Sequence, residues 1–200
     1  MACDHTTSIR RLRVVAVSGG LQRSSKSSIL AEHLLQQIST QLPATRQLVI
    51  VGEQAAQMPS TPWRDHVPQA LEQALSAVEQ ADMLVVTTPV FRGAYTGMFK
   101  HFFDLIHQDA LIDKPVLLAA TGGSQRHALM IDHQLRPLFS FFQARTLPLG
   151  VYATDSDFAD SCLQDAALIE RVRLAVERAI PMLALTGRAA QVAELSAMSA

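Results

Sequence analysis

Five apolar runs rich in β-branched residues alternate along the chain with segments whose apolar residues recur at helical spacing. The strands are expected at residues 12–17, 46–51, 83–88, 115–120 and 147–153. The helices are expected at residues 28–42, 68–81, 97–107, 125–143 and 165–185, with Pro137 as a kink or break in the fourth. Strands that are apolar throughout are buried on both faces, which predicts a parallel sheet covered by helices on both sides. Right-handed crossovers and the count of five favour a flavodoxin-like doubly wound α/β sheet over a barrel.

This alternation fits one domain. We assign residues 12–185 to a single flavodoxin-like domain, residues 1–11 to a flexible N-terminal tail and residues 186–200 to a C-terminal tail. At 200 residues and 48% hydrophobic content, the chain can bury one full core. The C-terminal tail has no strong apolar stripe, so it is either a frayed extension of the last helix or a helix that docks on a partner.

Charge and cysteine content narrow the function classes. A formal net charge of −1 argues against nucleic acid and anionic membrane surfaces as partners. The two cysteines, Cys3 and Cys162, form neither a disulfide framework nor a metal knuckle, which fits the reducing cytoplasm. No secretion signal and no run of about 20 apolar residues stands in the sequence. The histidines lack ligand spacing, so no metal site is expected.

The first strand runs into a loop rich in serine. Ser18, Gly19 and Gly20 end the strand, and Arg23 and four serines precede or open the next helix. Hydroxyls and backbone N–H groups at a helix N-terminus form a ready anion site, because the helix dipole favours negative charge there. The alternative is an ordinary serine-rich helix cap. Neither a Walker motif nor a GxGxxG dinucleotide fingerprint is present.

Two further loops follow strands three and four. Residues 89–97 contain two aromatics among small residues, and residues 121–127 begin with Thr121, Gly122 and Gly123. Ligands of open parallel sheets bind beyond the carboxyl ends of the strands, where these loops are expected to meet. A phosphate site beside walls of exposed backbone suits FMN, with its phosphate in the serine loop and its ring between the two later loops.

These segments together resemble the NADPH-dependent FMN reductase family. The resemblance lies in Ser18-Gly19-Gly20, Ser24-Ser25-Lys26-Ser27-Ser28, Thr88-Pro89-Val90-Phe91, Ala94-Tyr95-Thr96-Gly97-Met98-Phe99-Lys100, Lys114-Pro115-Val116 and Ala120-Thr121-Gly122-Gly123. It extends from about residue 12 to residue 160. Residues 121–133 are similar in particular to the flavin reductases that supply two-component alkanesulfonate and methanesulfonate monooxygenases. Each motif is weak alone, but the motifs of the three loop regions together, at matching spacing, are specific.

The resemblance implies roles for individual residues. It assigns the phosphate to Ser18, Arg23, Ser25, Ser27 and Ser28. It places Pro89, Val90, Phe91 and Arg92 under the isoalloxazine ring, and the loop of Thr121, Gly122, Gly123 and Ser124, followed by His127, at the polar edge of the ring. Many relatives have Tyr at the position of Phe91, so the hydroxyl contact is absent here.

His133 departs from the family pattern. In the alkanesulfonate-type reductases an inserted residue, often Tyr, forms a π-bulge at the tetramer interface near the flavin, and here His takes that place. Such bulges are often found at functional sites. The resemblance therefore implies that His133 gates flavin exchange across a subunit interface. The alternative is a helix histidine in a polar groove.

The implied activity is hydride transfer from NADH or NADPH to FMN, with no indispensable catalytic side chain, because the cofactor carries the chemistry. Phe91, Arg92 and His127 would only position the reactants. The implied partners are an FMN-dependent monooxygenase and further copies of the chain in a homodimer or homotetramer. The alternatives are a quinone or azo reductase with retained FMN, a flavodoxin-like electron carrier, and a redox-sensing interaction protein.

Overall fold

The computed structural model describes residues 11–58 and 63–197, with side chains as far as Leu183, and its centre is a parallel sheet. The strands of the sheet are β1 (Leu12–Ser18), β2 (Ala44–Ile50), β3 (Met83–Pro89), β4 (Pro115–Gly122), β5 (Arg145–Thr146) and β6 (Val151–Thr154). The helices are α1 (Lys26–Gln41), α2 (Gln69–Glu79), α3 (Gly97–Asp104), α4 (Arg136–Phe141) and α5 (Ala166–Ala197). A hairpin of β7 (Phe158–Ala159) and β8 (Cys162–Leu163) precedes α5.

The order of the strands is β2-β1-β3-β4, and both β5 and β6 pair in parallel with β4. This is the flavodoxin-like order, in which β2 and β3 are added on opposite sides of β1, so that the strand order reverses between β1 and β3. The predicted doubly wound fold is therefore confirmed. Such a reversal opens a crevice at the carboxyl ends of β1 and β3, where the loops of the candidate site lie.

The side chains of each central strand point alternately to two separate cores. Val15 and Val17 of β1 pack with α2, α3 and α4, whereas Val14 and Ala16 pack with α1 and α5. All four are buried, so neither face of this part of the strand is exposed to solvent. This double burial explains why the strands are continuously apolar.

The fifth predicted strand is broken in the structure. The expected run at residues 147–153 is replaced by β5 before it and β6 at its end. Leu147 still donates a backbone hydrogen bond to Val116 at 2.9 Å. Pro148 then has no N–H to continue the ladder, and pairing with β4 resumes only at Val151.

The predicted single helix at residues 125–143 is wrong in detail. The segment consists of a 3-10 turn, Gln125–His127, a π-helical turn, Ile131–Leu135, and α4. Pro137 lies in the first turn of α4 and cannot donate to the carbonyl of His133. The N–H of Arg136 bonds the carbonyl of Ile131, five residues back. The wider π-helical turn is thus found where Pro137 removes one of the regular helical N–H donors.

The chain ends in a helix longer than expected. The backbone of α5 continues past residue 185 to Ala197, with Pro181 inside it. The N-terminal residues 1–10, including Cys3, and the last residues 198–200 lie outside the described residues. Within the described part of the chain, no helix is both long and apolar enough to span a membrane.

Candidate functional site

The serine loop after β1 is held together by its own hydroxyls. The Oγ of Ser28 lies 2.9 Å from the Oγ of Ser18 and 2.9 Å from that of Ser25, and it donates to the carbonyl of Gln22 at 3.0 Å. Ser25 caps α1 by accepting from the N–H of Ser28 at 3.3 Å. Ser18 and Ser28 are fully buried. The predicted phosphate serines are therefore brought together, and their buried members shape the loop.

A buried hydroxyl pair joins this loop to the loop after β4. The Oγ of Ser27 lies 2.7 Å from the Oγ1 of Thr121, and both side chains are buried. Thr87 of β3 donates to the carbonyl of Ser27 at 2.9 Å. The N–H groups of Lys26 and Ser27 open α1 and have no acceptor within the helix. At the start of a helix such N–H groups can donate to an anionic ligand.

The loop after β3 is a tight two-residue turn. Phe91 and Ala94 exchange both backbone hydrogen bonds, at 2.8 and 3.2 Å. Between them Arg92 and Gly93 have φ values of 54° and 85°, as a type I′ turn requires. Glycine adopts this conformation without steric cost, whereas arginine does not. Pro89 pairs with Thr121, and the N–H of Val90 bonds the carbonyl of Thr121 at 2.7 Å.

Tyr152 of β6 supports the loop after β4. Its hydroxyl donates to the carbonyl of Ser124 at 2.8 Å and lies where a Cβ on Gly122 would come within 2.3 Å of it. Burial, and secondarily the carboxylate of Asp155, raises the pKa of Tyr152, so the phenol stays protonated and donates at neutral pH. By contrast, a Cβ on Gly123 would meet only a carboxylate oxygen of Asp155, at 4.0 Å.

The two loops enclose an open cleft of about 620 Å³. It is lined by Val90, Arg92, Gly93, Gly123, Ser124 and His127. Five of these are predicted ring-site residues, and the sixth, Gly93, completes the turn between them. Phe91 is 53% exposed beside the cleft. The walls offer backbone, one hydroxyl and two basic side chains, a set that suits a flat heteroaromatic ring with a polar edge.

The cations next to the serine loop are paired with carboxylates. Arg23 lies 3.4 Å from Glu53 and 3.7 Å from Glu32. Lys26 lies 2.8 Å from Asp155, which follows β6. The guanidinium of Arg23 therefore contacts carboxylates, where the resemblance assigned it to the phosphate.

His133 stands on the π-helical turn that the resemblance implied. Its side chain is exposed, and its N–H bonds the carbonyl of Leu129 at 2.9 Å. The residue is separate from the cleft lining, which ends at His127. Leu129 and Phe141, on either side of this turn, are 62% and 68% exposed.

Similarity to known proteins decides the family. A family model described as NADPH-dependent FMN reductase matches residues 12–159. The chain belongs to this family. It is an oxidoreductase of the flavin reductase class, with FMN and a reduced nicotinamide as its cofactors.

Individual relatives agree with the family. The chain is 57% identical over 171 residues to NADH-dependent FMN reductase SfnE of Pseudomonas putida, covering 86% of this chain and 92% of the relative. It is 50% identical over 170 residues to an FMN reductase (NADPH) of Pseudomonas aeruginosa, covering 85% and 91%. A solved oxidoreductase structure from Corynebacterium diphtheriae superimposes with a TM-score of 0.75 at 31% identity, covering 87% and 97%.

The residues present fit FMN. The serine loop offers neutral donors for a phosphate at the start of α1, and the cleft beside it has glycine where a ring would approach the backbone. The buried Ser27–Thr121 pair fixes the spacing between the two parts. A bipartite ligand with an anionic and a flat end matches this arrangement.

Besides Gly93, three residues at or beside the site are absent from the sequence-based prediction. Tyr152 and Asp155 come from the fifth strand and the turn after it, and Lys26 is on α1. Lys26 stands among the loop serines, and its position there was the available signal. Nothing local marks Tyr152, because its role arises only where β6 and the loop after β4 meet.

Proposed function

We propose that the chain reduces FMN with a hydride from NADH or NADPH and then releases it as a diffusible product. The observation that carries the proposal is the open cleft between the loops after β3 and β4. The Ser27–Thr121 pair joins the second of these loops to the serine loop. The relatives' names divide between NADH and NADPH, so both nucleotides are proposed as donors.

The residues act by binding and orientation. Ser25 and the free N–H groups of Lys26 and Ser27 hold the phosphate, with Ser18 and Ser28 fixing the loop that presents them. Pro89, Val90, Phe91 and Arg92 form the floor under the ring. Thr121, Gly122, Gly123 and Ser124 present backbone groups to its polar edge, and His127 closes the far end. When bound, FMN supplies N5 as the acceptor of a hydride from the nicotinamide.

The open face of the cleft admits the nicotinamide, so the protein contributes proximity and orientation more than acid or base catalysis. No side chain is assigned a proton transfer. Loss of any single lining residue is therefore expected to weaken binding or slow the reaction without abolishing it.

His133 is proposed to control flavin exchange. The π-helical turn that carries it directly follows the segment with Ser124 and His127, so a contact made by His133 is transmitted to the cleft over a few residues. The exposed Leu129 and Phe141 beside it support a covered surface there. We assign that surface to a second copy of the chain, in a homodimer or homotetramer built from the 12–185 domain.

The reduced FMN is proposed to pass to an FMN-dependent monooxygenase acting on sulfonates, in the cytoplasm. The support is the similarity of residues 121–133 to the reductases of such systems, together with the π-helical turn.

Light scattering on the purified chain gives the oligomeric state, and a monomer at micromolar concentration would contradict the shared interface.

The activity is tested by the oxidation of NADH and NADPH at 340 nm with and without FMN. A Gly123→Val variant places a branched side chain in the cleft, at a position where an added Cβ would meet only the Asp155 carboxylate, at 4.0 Å. We expect it to melt like the wild type and to raise the KM for FMN at least tenfold. Absence of FMN-dependent oxidation in the wild type would overturn the proposed function.

A further inference from the structure

The phosphate end of the site is surrounded by more acids than bases. Arg23 and Lys26 are the two cations of the serine loop and the first turn of α1. Glu32, Glu53 and Asp155 pair with them, at 3.7, 3.4 and 2.8 Å. Two positive charges thus face three negative ones next to the place where a phosphate dianion is proposed to bind.

The three carboxylates come from three different elements. Glu32 is on α1, Glu53 is in the 3-10 turn Val51–Gln54 after β2, and Asp155 follows β6. Gly52 holds the turn that carries Glu53 against the serine loop, since its N–H bonds the carbonyl of Gly20 at 3.1 Å. The pairing of Arg23 is therefore built by the fold and is not a local helix pair.

The consequence concerns affinity for phosphate. An arginine or lysine that is free to form a charge-assisted hydrogen bond strengthens phosphate binding, and the planar arginine does so most. Here each cation already contacts a carboxylate, and each carboxylate repels the dianion. The neutral donors at the start of α1 then hold the phosphate without the help of an unpaired cation.

We propose that Glu32, Glu53 and Asp155 lower the affinity of the site for the flavin phosphate, so that FMN exchanges readily. This inference rests on the proposed function, in which FMN must leave after reduction. The ion pairs are solvent-exposed, so each carboxylate contributes modestly, as expected for unit charges a few ångströms apart in water. Removing one carboxylate is expected to tighten FMN binding about threefold to fivefold.

The test compares FMN with riboflavin, which has the same ring and no phosphate. Equilibrium titrations, followed by quenching of flavin fluorescence, are made on the wild type and on Glu53→Gln, Asp155→Asn and the double variant. The control is Glu177→Gln, which removes one carboxylate from an exposed ion pair with Arg173 on α5. Melting temperatures establish that each variant is folded. If Asp155→Asn does not fold, the test is made with Glu53→Gln alone.

The proposal predicts a lower Kd for FMN in the site variants, an unchanged Kd for riboflavin, and an unchanged Kd for both ligands in the control. The gain should largely disappear in 1 M salt, where charges are screened within about 3 Å. Unchanged or weaker FMN binding, equal tightening of riboflavin, or an equal effect of Glu177→Gln would each overturn it. None of these results depends on NADH oxidation, so a failure here is distinct from a failure of the proposed function.

Discussion

At the scale of single residues, Tyr152 links the sheet to the flavin loop through one hydrogen bond. Its hydroxyl donates to the carbonyl of Ser124 at 2.8 Å and lies beside Gly122, 2.3 Å from where a Cβ would stand. A strand thus fixes a loop that would otherwise be held only by its neighbours. We assign Tyr152 as a positioning residue.

The Tyr152→Phe variant removes this hydrogen bond and keeps the ring. A typical net contribution of about 1 kcal/mol predicts FMN binding weakened about fivefold. The KM for FMN should rise while the KM for NADH and kcat stay near their wild-type values. Ser39→Ala, which removes a hydroxyl bonded to Leu35 within α1, is the control. A Tyr152→Phe enzyme with wild-type KM for FMN would show that the loop does not need this support.

Adjacent glycines in the same loop make a matched pair. A Cβ at Gly122 would lie 2.3 Å from the hydroxyl of Tyr152, whereas one at Gly123 would meet only the Asp155 carboxylate at 4.0 Å. Gly122→Ala is expected to cost about 1–3 kcal/mol because buried groups must shift. Gly123→Ala should leave the free energy of unfolding nearly unchanged. Chemical denaturation of both variants checks this, and equal stability would mean that Tyr152 moves aside freely.

At the scale of elements, the π-helical turn Ile131–Leu135 carries the proposed exchange gate. It places His133 and Gln134 side by side on an exposed surface. Both side chains project from the same turn, so they are matched for a test of the proposed exchange gate.

His133→Ala is predicted to change the rate of FMN dissociation at least threefold, measured by stopped-flow displacement of bound flavin. Gln134→Ala should leave the rate unchanged, because the proposed contact belongs to the imidazole. If both variants dissociate FMN at the wild-type rate, His133 has no part in the exchange and the turn is only a packing feature.

The elements that the sequence predicted well are those with a strong period. The strands β1, β3 and β4 begin at the expected residues, because an unbroken apolar run of this length predicts a buried strand at one position only. The segment at residues 125–143 has the right apolar residues but the wrong winding. Periodicity does not register whether an N–H bonds four or five residues back, which here depends on Pro137 and on packing beneath it.

The candidate site likewise has features that the sequence predicts and features that it does not. The loops could be located from sequence, since parallel strands must end at one edge of a sheet. The direction in which each side chain points could not be predicted from sequence, and Arg23 shows this most clearly. It stands in the serine loop by sequence, but Glu32 and Glu53 reach it from α1 and from the turn after β2. Only the tertiary arrangement brings those acids together.

At the scale of the whole molecule, a buried lysine opposite the site joins two layers of the fold. Lys114 precedes β4, and its ammonium donates to the carbonyls of Val78 and Glu79 at the end of α2, at 3.2 and 2.6 Å. Burial is the main cause that lowers its pKa from 10.5 to about 8, against the opposing effect of Asp82 and Glu79. The unfolded chain therefore binds this proton more tightly than the folded one.

Stability should consequently rise with pH between about 8 and 10.5 at this group, because the unfolded state holds more protons there. Relative to Lys114→Met, the wild type is predicted to gain up to about 3 kcal/mol across that window. Urea unfolding at a series of pH values measures the difference. Lys100→Met, at an exposed lysine paired with Asp104, serves as the control. A difference that stays flat with pH would show that Lys114 titrates as an ordinary lysine.

If FMN visits this site as an exchanging substrate, the purified protein should not retain it. The protein is incubated with excess FMN, passed through a desalting column, and assayed for NADH oxidation over a range of added FMN. We expect colourless protein and a rate of NADH oxidation that starts near zero and saturates with added FMN. Yellow protein with a rate independent of added FMN would contradict it and would indicate a reductase that keeps its flavin and passes electrons to another acceptor.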